Sequence, residues 1–508
     1  MLNKWEFIVC IFFVTFHRGS SQDLTTLGND IATGMDVTID PCEDFNQFVC
    51  GNWIRGQHNE SSDSAKMSIS MIGETSHTNQ KKFVDILKQL NVSGLPETAF
   101  KYKLKRLFNL CLEYEINQRD YTMDTREALT ETVQNMGGWE AMRITSKKGY
   151  TSRQSEKEIA KAEEQCRKQV DSYMEIGTNR VMMEAVIQKE SVPMLSLMNE
   201  AIFQEYREMF TSVPYFDPKL KQRFLDKLNT IEARLVFPPL LYPDYAYDEY
   251  YRRLHIGNSF LDTMSHLRQF HYRIFWQGIT RPWQLDSDFG YGAGTINAFY
   301  LPVDNSFQML AGLISPPYFS YEYPLQYNFG AVGHIIGHEL GHAFGPGTNS
   351  RTWNGATETL PEEALHQLQE EYSCLKEMYD SLCINYENST VCNNGTTTLE
   401  ENFADQTGIR TAFRAYQKQK AALELEQTIP GLEQFTADQQ FFISLGRVMC
   451  GYADENVARN KVKHARHTQY GIRLEGLLKN FPEFKKSFSC RNGQKYVTET
   501  QCPIYGSA

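Results

Sequence analysis

The sequence predicts a mainly α-helical chain with a small β-sheet, an α+β arrangement, on three observations. Apolar residues recur at spacings of three and four through residues 82–112 and 156–209, as in Phe83, Ile86, Leu87 and Leu90. Alternation of period two is confined to a short stretch at residues 295–300. Residues 329–344, FGAVGHIIGHELGHAF, are apolar and punctuated by glycine, as a buried helix would be. With 508 residues the chain can build two or more well-buried cores. A net charge of -11 and no Lys/Arg cluster argue against a nucleic-acid partner.

Residues 1–21 have the pattern of a secretory signal peptide: Lys4, an apolar run over residues 7–16, then Gly19, Ser20 and Ser21. That run is shorter than the roughly 20 residues needed to cross a bilayer, so no stable membrane anchor is expected, an uncleaved anchor being the alternative. Of the 11 cysteines, Cys10 falls in this leader and ten remain, for which five disulfides are the default in an exported chain. Sequons at Asn59, Asn91, Asn388 and Asn394 are compatible with a glycoprotein. The aromatic segment at residues 40–53 carries Cys42 and Cys50, and four more cysteines stand near the end of the chain. A strap stapled to the C-terminal half is expected, as framework rather than site.

Between the two helical regions, residues 146–154 read as a polar linker. Residues 218–235 continue as an amphipathic helix, and residues 236–256, rich in Pro and Tyr, as an irregular connection. The alternation at residues 295–300 reads as a strand. Beside a metal, an edge strand can pair with an extended peptide, an amide such as that of Asn297 holding its backbone; an ordinary core strand is the plainer alternative.

Residues 329–344 hold His338, Glu339 and His342 in the order H-E-x-x-H. On a helix, residues four apart stand one turn above each other, so both imidazoles can reach one ion. A carboxylate beside them can take the proton of a water attacking a carbonyl, which is the chemistry of a zinc peptidase. The plainer reading is an exposed helix with ordinary histidines. The apolar neighbours Ala331, Val332, Ile335, Ile336 and Leu340 argue against it, because buried histidines and a glutamate need partners. Gly333, Gly337 and Gly341 each cost about 1 kcal/mol relative to Ala in a helix interior. They form a smooth stripe along which a second helix could approach closely.

A hydrolytic zinc takes three protein ligands and keeps one open position. The next helix with acids, LEENFAD, puts Glu401 and Asp405 on one face. Glu401 would close the ligand set, and Asp405 could accept the second N–H of a ligand histidine. A solvated acidic helix start is the alternative. Downstream, His467 could stabilise an oxyanion and Arg473 could grip a peptide carbonyl, although singly such residues are more often surface groups.

Taken together, PCEDFNQFVCGNW, INAFY with AGLISPPYF, VGHIIGHELGH, EENFAD, the MCG segment at Cys450 and the spacing from His467 to Arg473 resemble the neprilysin family of secreted and membrane zinc endopeptidases. The segments keep the family's order across nearly the whole chain. The resemblance implies a gluzincin-type catalytic domain holding one Zn2+ through His338, His342 and Glu401. It makes Glu339 the general base and then proton donor, and sets Asp405 behind a ligand histidine. Asn297 and Ala298 would bind substrate backbone, His467 the transition state and Arg473 a substrate carbonyl. It also implies the pairs Cys42 with Cys490, Cys50 with Cys450, Cys111 with Cys166 and Cys374 with Cys502, leaving Cys383 with Cys392.

Four departures stand out. The interval between Cys111 and Cys166 is short for the family, so the helical lid is expected to be truncated and the size filter on substrates relaxed. Gly345-Pro346 stands where an Asp pair is usual, and Ala465 where an acid usually precedes the histidine corresponding to His467. No arginine lies between Gly56 and Gln80 to bind a free substrate carboxylate, Lys66 being the nearest cation. The expected organisation is a leader at 1–21, catalytic segments at 22–62 and 270–508, and a reduced helical lid at 63–269. The expected activity is secreted endopeptidase cleavage of extracellular peptides on the amino side of large apolar residues, with Val448 and Met449 as pocket candidates. A secreted peptide-binding protein with little catalysis is the alternative. The oligomeric state is left open.

Overall fold

The structure, a computed structural model, describes residues 21–60, 68–116, 155–188, 190–235, 243–280, 294–387, 389–424, 427–498 and 501–506. The expected leader up to residue 20, Lys66, the linker at 146–154 and Asn388 lie outside them.

Helices dominate. In chain order the longer ones are α1 (Ser21–Gly34), α2 (Phe45–Glu60), α3 (Met71–Gln89), α4 (Phe100–Ile116), α5 (Glu156–Tyr173), α6 (Glu175–Val186), α7 (Ser191–Ser212), α8 (Pro218–Asn229), α9 (Asp244–Tyr250) and α10 (Phe260–Thr280). The second half supplies α11 (His334–Phe344), α12 (Glu362–Asp380), α13 (Gly395–Leu423), α14 (Ala437–Val448), α15 (Glu455–His464), α16 (Tyr470–Lys479) and α17 (Pro482–Phe488). Many starts are set by local chemistry. The Asp217 side chain accepts from Leu220 N with Pro218 opening α8, and Asn394 accepts from Thr397 N at the head of α13. Thr436 with Gln439 forms a reciprocal capping box on α14.

Apolar side chains bury in two clusters. The larger draws Phe45 and Val49 from the start, Phe210 and Phe224 from α7 and α8, and Phe329, Ile336, Phe441 and Leu477 from the second half. The smaller gathers Phe83, Leu104, Phe108, Val170, Met182 and Leu267. Residues 194–235, assigned by sequence to the lid segment, thus contribute to the large core. Disulfides Cys42–Cys490 and Cys50–Cys450 staple the N-terminal strap to the C-terminal half, and Cys111–Cys166, Cys374–Cys502 and Cys383–Cys392 complete the expected set.

Two elements differ from expectation. The helix at 218–235 stops at Asn229, where Thr230 Oγ1 turns back onto the carbonyls of Asp226 and Lys227. A first strand, β1 (Ser68–Ser70), lies upstream, and here the chain enters β2 (Glu232–Arg234). This pairs in parallel with β4 (Ser306–Met309), which pairs antiparallel with β3 (Ala298–Leu301). Pairing to a distant strand overrides the local helical pattern. The connection at 236–256 contains α9, whose Tyr247 packs on Phe100 in the smaller core at 5.0 Å between ring centroids. Burial of those rings, invisible as a periodicity in seven residues, fixes that helix.

In the sheet order β2-β4-β3, β3 is an edge, and it packs beside α11. The residues before α11, Phe329–Gly333, form a π-helical turn. The expected glycine stripe is filled as foreseen. A Cβ on Gly337 would stand 2.9 Å from Gly408 Cα, and one on Gly341 would stand 2.8 Å from Ala404 Cα. Helix α13 lies in that groove, bringing Glu401 and Asp405 to the histidines. Gly333 instead faces Met198 of α7.

Candidate metal centre

The motif helix is held from three sides before any ligand is considered. Tyr206 of α7 donates its hydroxyl to Gly337 O at 2.6 Å. Lys227 of α8 donates to Ala343 O at 2.6 Å and Thr348 O at 2.9 Å, and Tyr505 donates to Phe344 O at 2.6 Å. The last two satisfy carbonyls that a helix C-terminus leaves open.

On this fixed helix, His338 and His342 turn their Nε2 atoms to within 3.0 Å of each other. Glu401 Oε2 of α13 lies 3.3 Å from the first and 3.5 Å from the second. Four ligands around a zinc at about 2.0–2.1 Å stand roughly 3.3 Å apart at tetrahedral angles. The three atoms have that spacing. Glu401 Oε2 is buried and has no partner with hydrogen-bond geometry, although the ring nitrogens of His338, His342 and His467 all lie within 3.5 Å of it. Burial opposes ionisation of Glu401, yet the imidazoles of His338, His342 and His467 outweigh it and hold the carboxyl well below its usual range. The donor set therefore fits zinc: two imidazoles, one ionised carboxylate, and a surrounding charge that calls for a cation.

Asp405 lies behind the first histidine, fully buried. Its Oδ1 is 2.8 Å from His338 Nδ1, which leaves Nε2 to face Glu401. Arg473 grips the same carboxylate through Nε to Oδ2 and Nη2 to Oδ1, both at 2.6 Å. Burial works against charge at His338, but Asp405 overcomes it and pushes its pKa up to about 10. In the same position a bound cation meets the same demand. The fork of Arg473, which sequence expects to hold a substrate carbonyl, engages Asp405 through Nε and Nη2.

Glu339 is buried, and its Oε2 has no hydrogen-bond partner. Burial raises its pKa, against the pull of His338 and His342. A carboxylate desolvated in this way is more basic than one in water. His467 is more exposed and sets Nε2 2.9 Å from Glu401 Oε2. Its loop is pinned to α13 by Thr468 Oγ1 donating to Asn402 Oδ1 at 2.7 Å. Asn297 is exposed just before edge strand β3, and Ala298 begins that strand. Val448 and Met449 are buried at the end of α14. His338, His342, Glu339, Glu401, Asp405, His467 and Arg473 therefore converge, while Asn297 and Ala298 lie along the neighbouring strand.

Sequence reading passed over His334. It sits one turn before His338, 2% exposed, with Nε2 3.3 Å from Asp405 Oδ1. Burial lowers its pKa, against the pull of Asp405. The spacing of four that joins His334, His338 and His342 was the available signal. A second cation on His334, His338 and Asp405 is disfavoured, since the Arg473 guanidinium already neutralises that carboxylate.

The sequence profiles of peptidase family M13 match residues 41–152 and 297–504, together more than half of the chain. The chain belongs to peptidase family M13. Among the family's curated members it is 26% identical over 356 residues to human neprilysin, covering 67% of this chain and 45% of that protein. It is 25% identical over 350 residues to Neprilysin-2 of Caenorhabditis elegans, covering 67% of this chain and 46% of the relative. The chain thus spans about half the length of the curated relatives it matches. The fold is shared with the zinc metalloprotease ZMP1 of Mycobacterium tuberculosis, solved with an inhibitor, at TM-score 0.72 and 13% identity over 93% of this chain and 99% of that one. A second structure, described as a Haemonchus galactose containing glycoprotein complex, matches at TM-score 0.72 and 17% identity over 96% of this chain and 100% of that one.

Proposed function

We propose that this M13 chain is a secreted, zinc-dependent endopeptidase holding one Zn2+ through His338, His342 and Glu401. The observation that carries the reading is the convergence of Glu401 Oε2 on the two Nε2 atoms at 3.3 and 3.5 Å. Zinc bound there would polarise a peptide carbonyl and acidify a water molecule. Glu339, unpartnered and made basic by burial, takes the proton of the attacking water and returns it to the leaving amine. Asp405 fixes the tautomer and orientation of His338, and Arg473 keeps Asp405 ionised. His467, with its base tied to α13, is placed to donate to the oxyanion.

Substrates are extracellular peptides laid along the β3 edge, with Asn297 and Ala298 binding their backbone. Cleavage falls on the amino side of a large apolar residue, with Val448 and Met449 contributing to its pocket. Secretion is consistent with five disulfides, and no helix among the described residues is long and apolar enough to cross a membrane. A secreted peptide-binding protein with little catalysis is the second reading, favoured by Gly345-Pro346 and Ala465 in place of acids near the ligands.

The test is zinc content together with hydrolysis of a quenched hydrophobic peptide, compared with Glu339→Gln. Turnover lost in the variant with zinc retained supports the peptidase. Turnover unchanged in the variant defeats the mechanism, and zinc without turnover in the wild type favours the binding protein.

A further inference from the structure

In a chain of net charge -11, residues 456–470 hold Arg459, Lys461, Lys463 and Arg466 and no Asp or Glu. So few cations make no nucleic-acid footprint. The structure sets them at the rim of the metal centre. Lys461 and Lys463 stand in the last turn of α15, and Arg466 follows on the loop that leads to His467. That loop is tied on two sides, by Thr468 Oγ1 donating to Asn402 Oδ1 of α13 at 2.7 Å and by Gln469 Nε2 donating to Ala458 O of α15 at 3.2 Å. His467 Nε2 comes to 2.9 Å from Glu401 Oε2. Arg466 therefore leaves the backbone one Cα step, about 3.8 Å, from a residue that reaches the metal centre.

Within the fold these charges are not all matched. Arg459 pairs with Glu455 at 2.8 Å, and Lys461 lies over the Tyr470 ring at 5.1 Å. Lys463 and Arg466 are exposed and form no ion pair among the described residues. The charge of Arg466 nevertheless reaches the site. Burial raises the pKa of Glu400, the residue before Glu401, and the Gly347 N–H, His342 and Arg466 work against the rise. The plainer account of cations in a last helical turn is that they complement the macrodipole, and it covers Lys461 and Lys463. It does not extend to Arg466, which stands beyond the capping residue Ala465. An exposed guanidinium with no partner in the protein, on a loop anchored beside the metal ligands, is placed for an anion that arrives from outside.

We propose that the peptides this site takes are acidic, their side-chain carboxylates near the scissile bond being met by Arg466, with Lys463 adding to the field. The inference names the substrate class of the site proposed above and rests on peptides binding there. It is compatible with a large apolar residue at the cleaved bond, since the pocket selects that residue and the charged rim selects its neighbours.

Two quenched peptides built around one Phe are compared on the purified full chain, identical except that the flanking positions are Glu in one and Gln in the other. Wild type is read by kcat/KM, and Glu339→Gln, which holds a peptide without cutting it, by the dissociation constant from fluorescence anisotropy. At about 0.02 M salt the acidic peptide is expected to be favoured about fivefold in both readings, the scale of one or two exposed ion pairs. The ratio should fall toward one at about 0.5 M salt, where screening is strong. Adding Arg466→Gln and Lys463→Gln should remove the preference by weakening the acidic peptide alone, and Arg466→Glu should invert it. A ratio within about twofold of one at low salt overturns the inference, as does a preference that survives the paired Arg466→Gln and Lys463→Gln change. Both peptides cut alike would leave the peptidase reading standing without this inference. The acidic peptide bound in preference but never cut would do the reverse, and a chain that binds neither peptide overturns both.

Discussion

Gly337 on α11 and Gly408 on α13 meet without side chains between them, a Cβ on Gly337 falling 2.9 Å from Gly408 Cα and 2.8 Å from Thr411 Oγ1. That contact sets how near Glu401 comes to the two histidines, so the glycines on the ligand helix and the spacing of the ligands are one feature.

Gly337→Ala should therefore do two things at once. Forcing a methyl into this crossing costs about 1–3 kcal/mol of stability, and moving α13 outward should weaken zinc binding. Gly56→Ala, within α2 where a Cβ meets nothing within 4 Å, is the control: it should gain up to about 1 kcal/mol from helix propensity and leave zinc binding unchanged. Thermal melting and chelator competition on the same two variants check this.

Asp405→Asn removes the partner of both His338 and Arg473. A guanidinium left unpaired in the core costs about 3–5 kcal/mol, and loss of the carboxylate behind a ligand histidine costs about tenfold to a hundredfold in metal affinity. Denaturant melts and zinc titration should both show the loss, and a variant that melts like wild type would argue against the Arg473 pairing.

Lys227 gives a pH dependence whose sign can be stated. Burial, with Arg223 and Arg351 adding to it, lowers its pKa from 10.5 to about 7. Above pH 7 the folded state gives up a proton that the unfolded chain keeps until about 10.5. Its contribution to stability is therefore fully present above the unfolded value and is lost as pH falls through about 7. The stability of wild type relative to Lys227→Met should rise between pH 7 and 9, by at most about 1.4 kcal/mol per unit. Paired melts of the two proteins at pH 6.5 and 9 read the difference, and a difference that falls with pH contradicts it.

Cys42–Cys490 closes a loop of 448 residues and ties α2 to the end of the chain. Its removal by Cys42→Ser with Cys490→Ser should cost about 2–4 kcal/mol. Because it is far in sequence from the ligands, metal affinity of the folded variant should be unchanged. Melting and zinc titration separate the two effects.

What could be read from the sequence followed the range of the interaction. His338 and His342 are neighbours by helix geometry alone, so local spacing found them. Glu401 and Asp405 are some sixty residues on, and their spacing became informative only beside the other family segments. The pairing of β2 with β4 joins residues that nothing local connects, which is why the helix at 218–235 was drawn too long. His334 hid among the apolar residues that made α11 look buried.

The most direct measurement is an anomalous-difference map recorded at the zinc edge from crystals of the purified chain. A single peak is predicted about 2.0–2.2 Å from His338 Nε2, His342 Nε2 and a carboxylate oxygen of Glu401. A map with no peak at that position, or a zinc bound by other residues, would contradict the account.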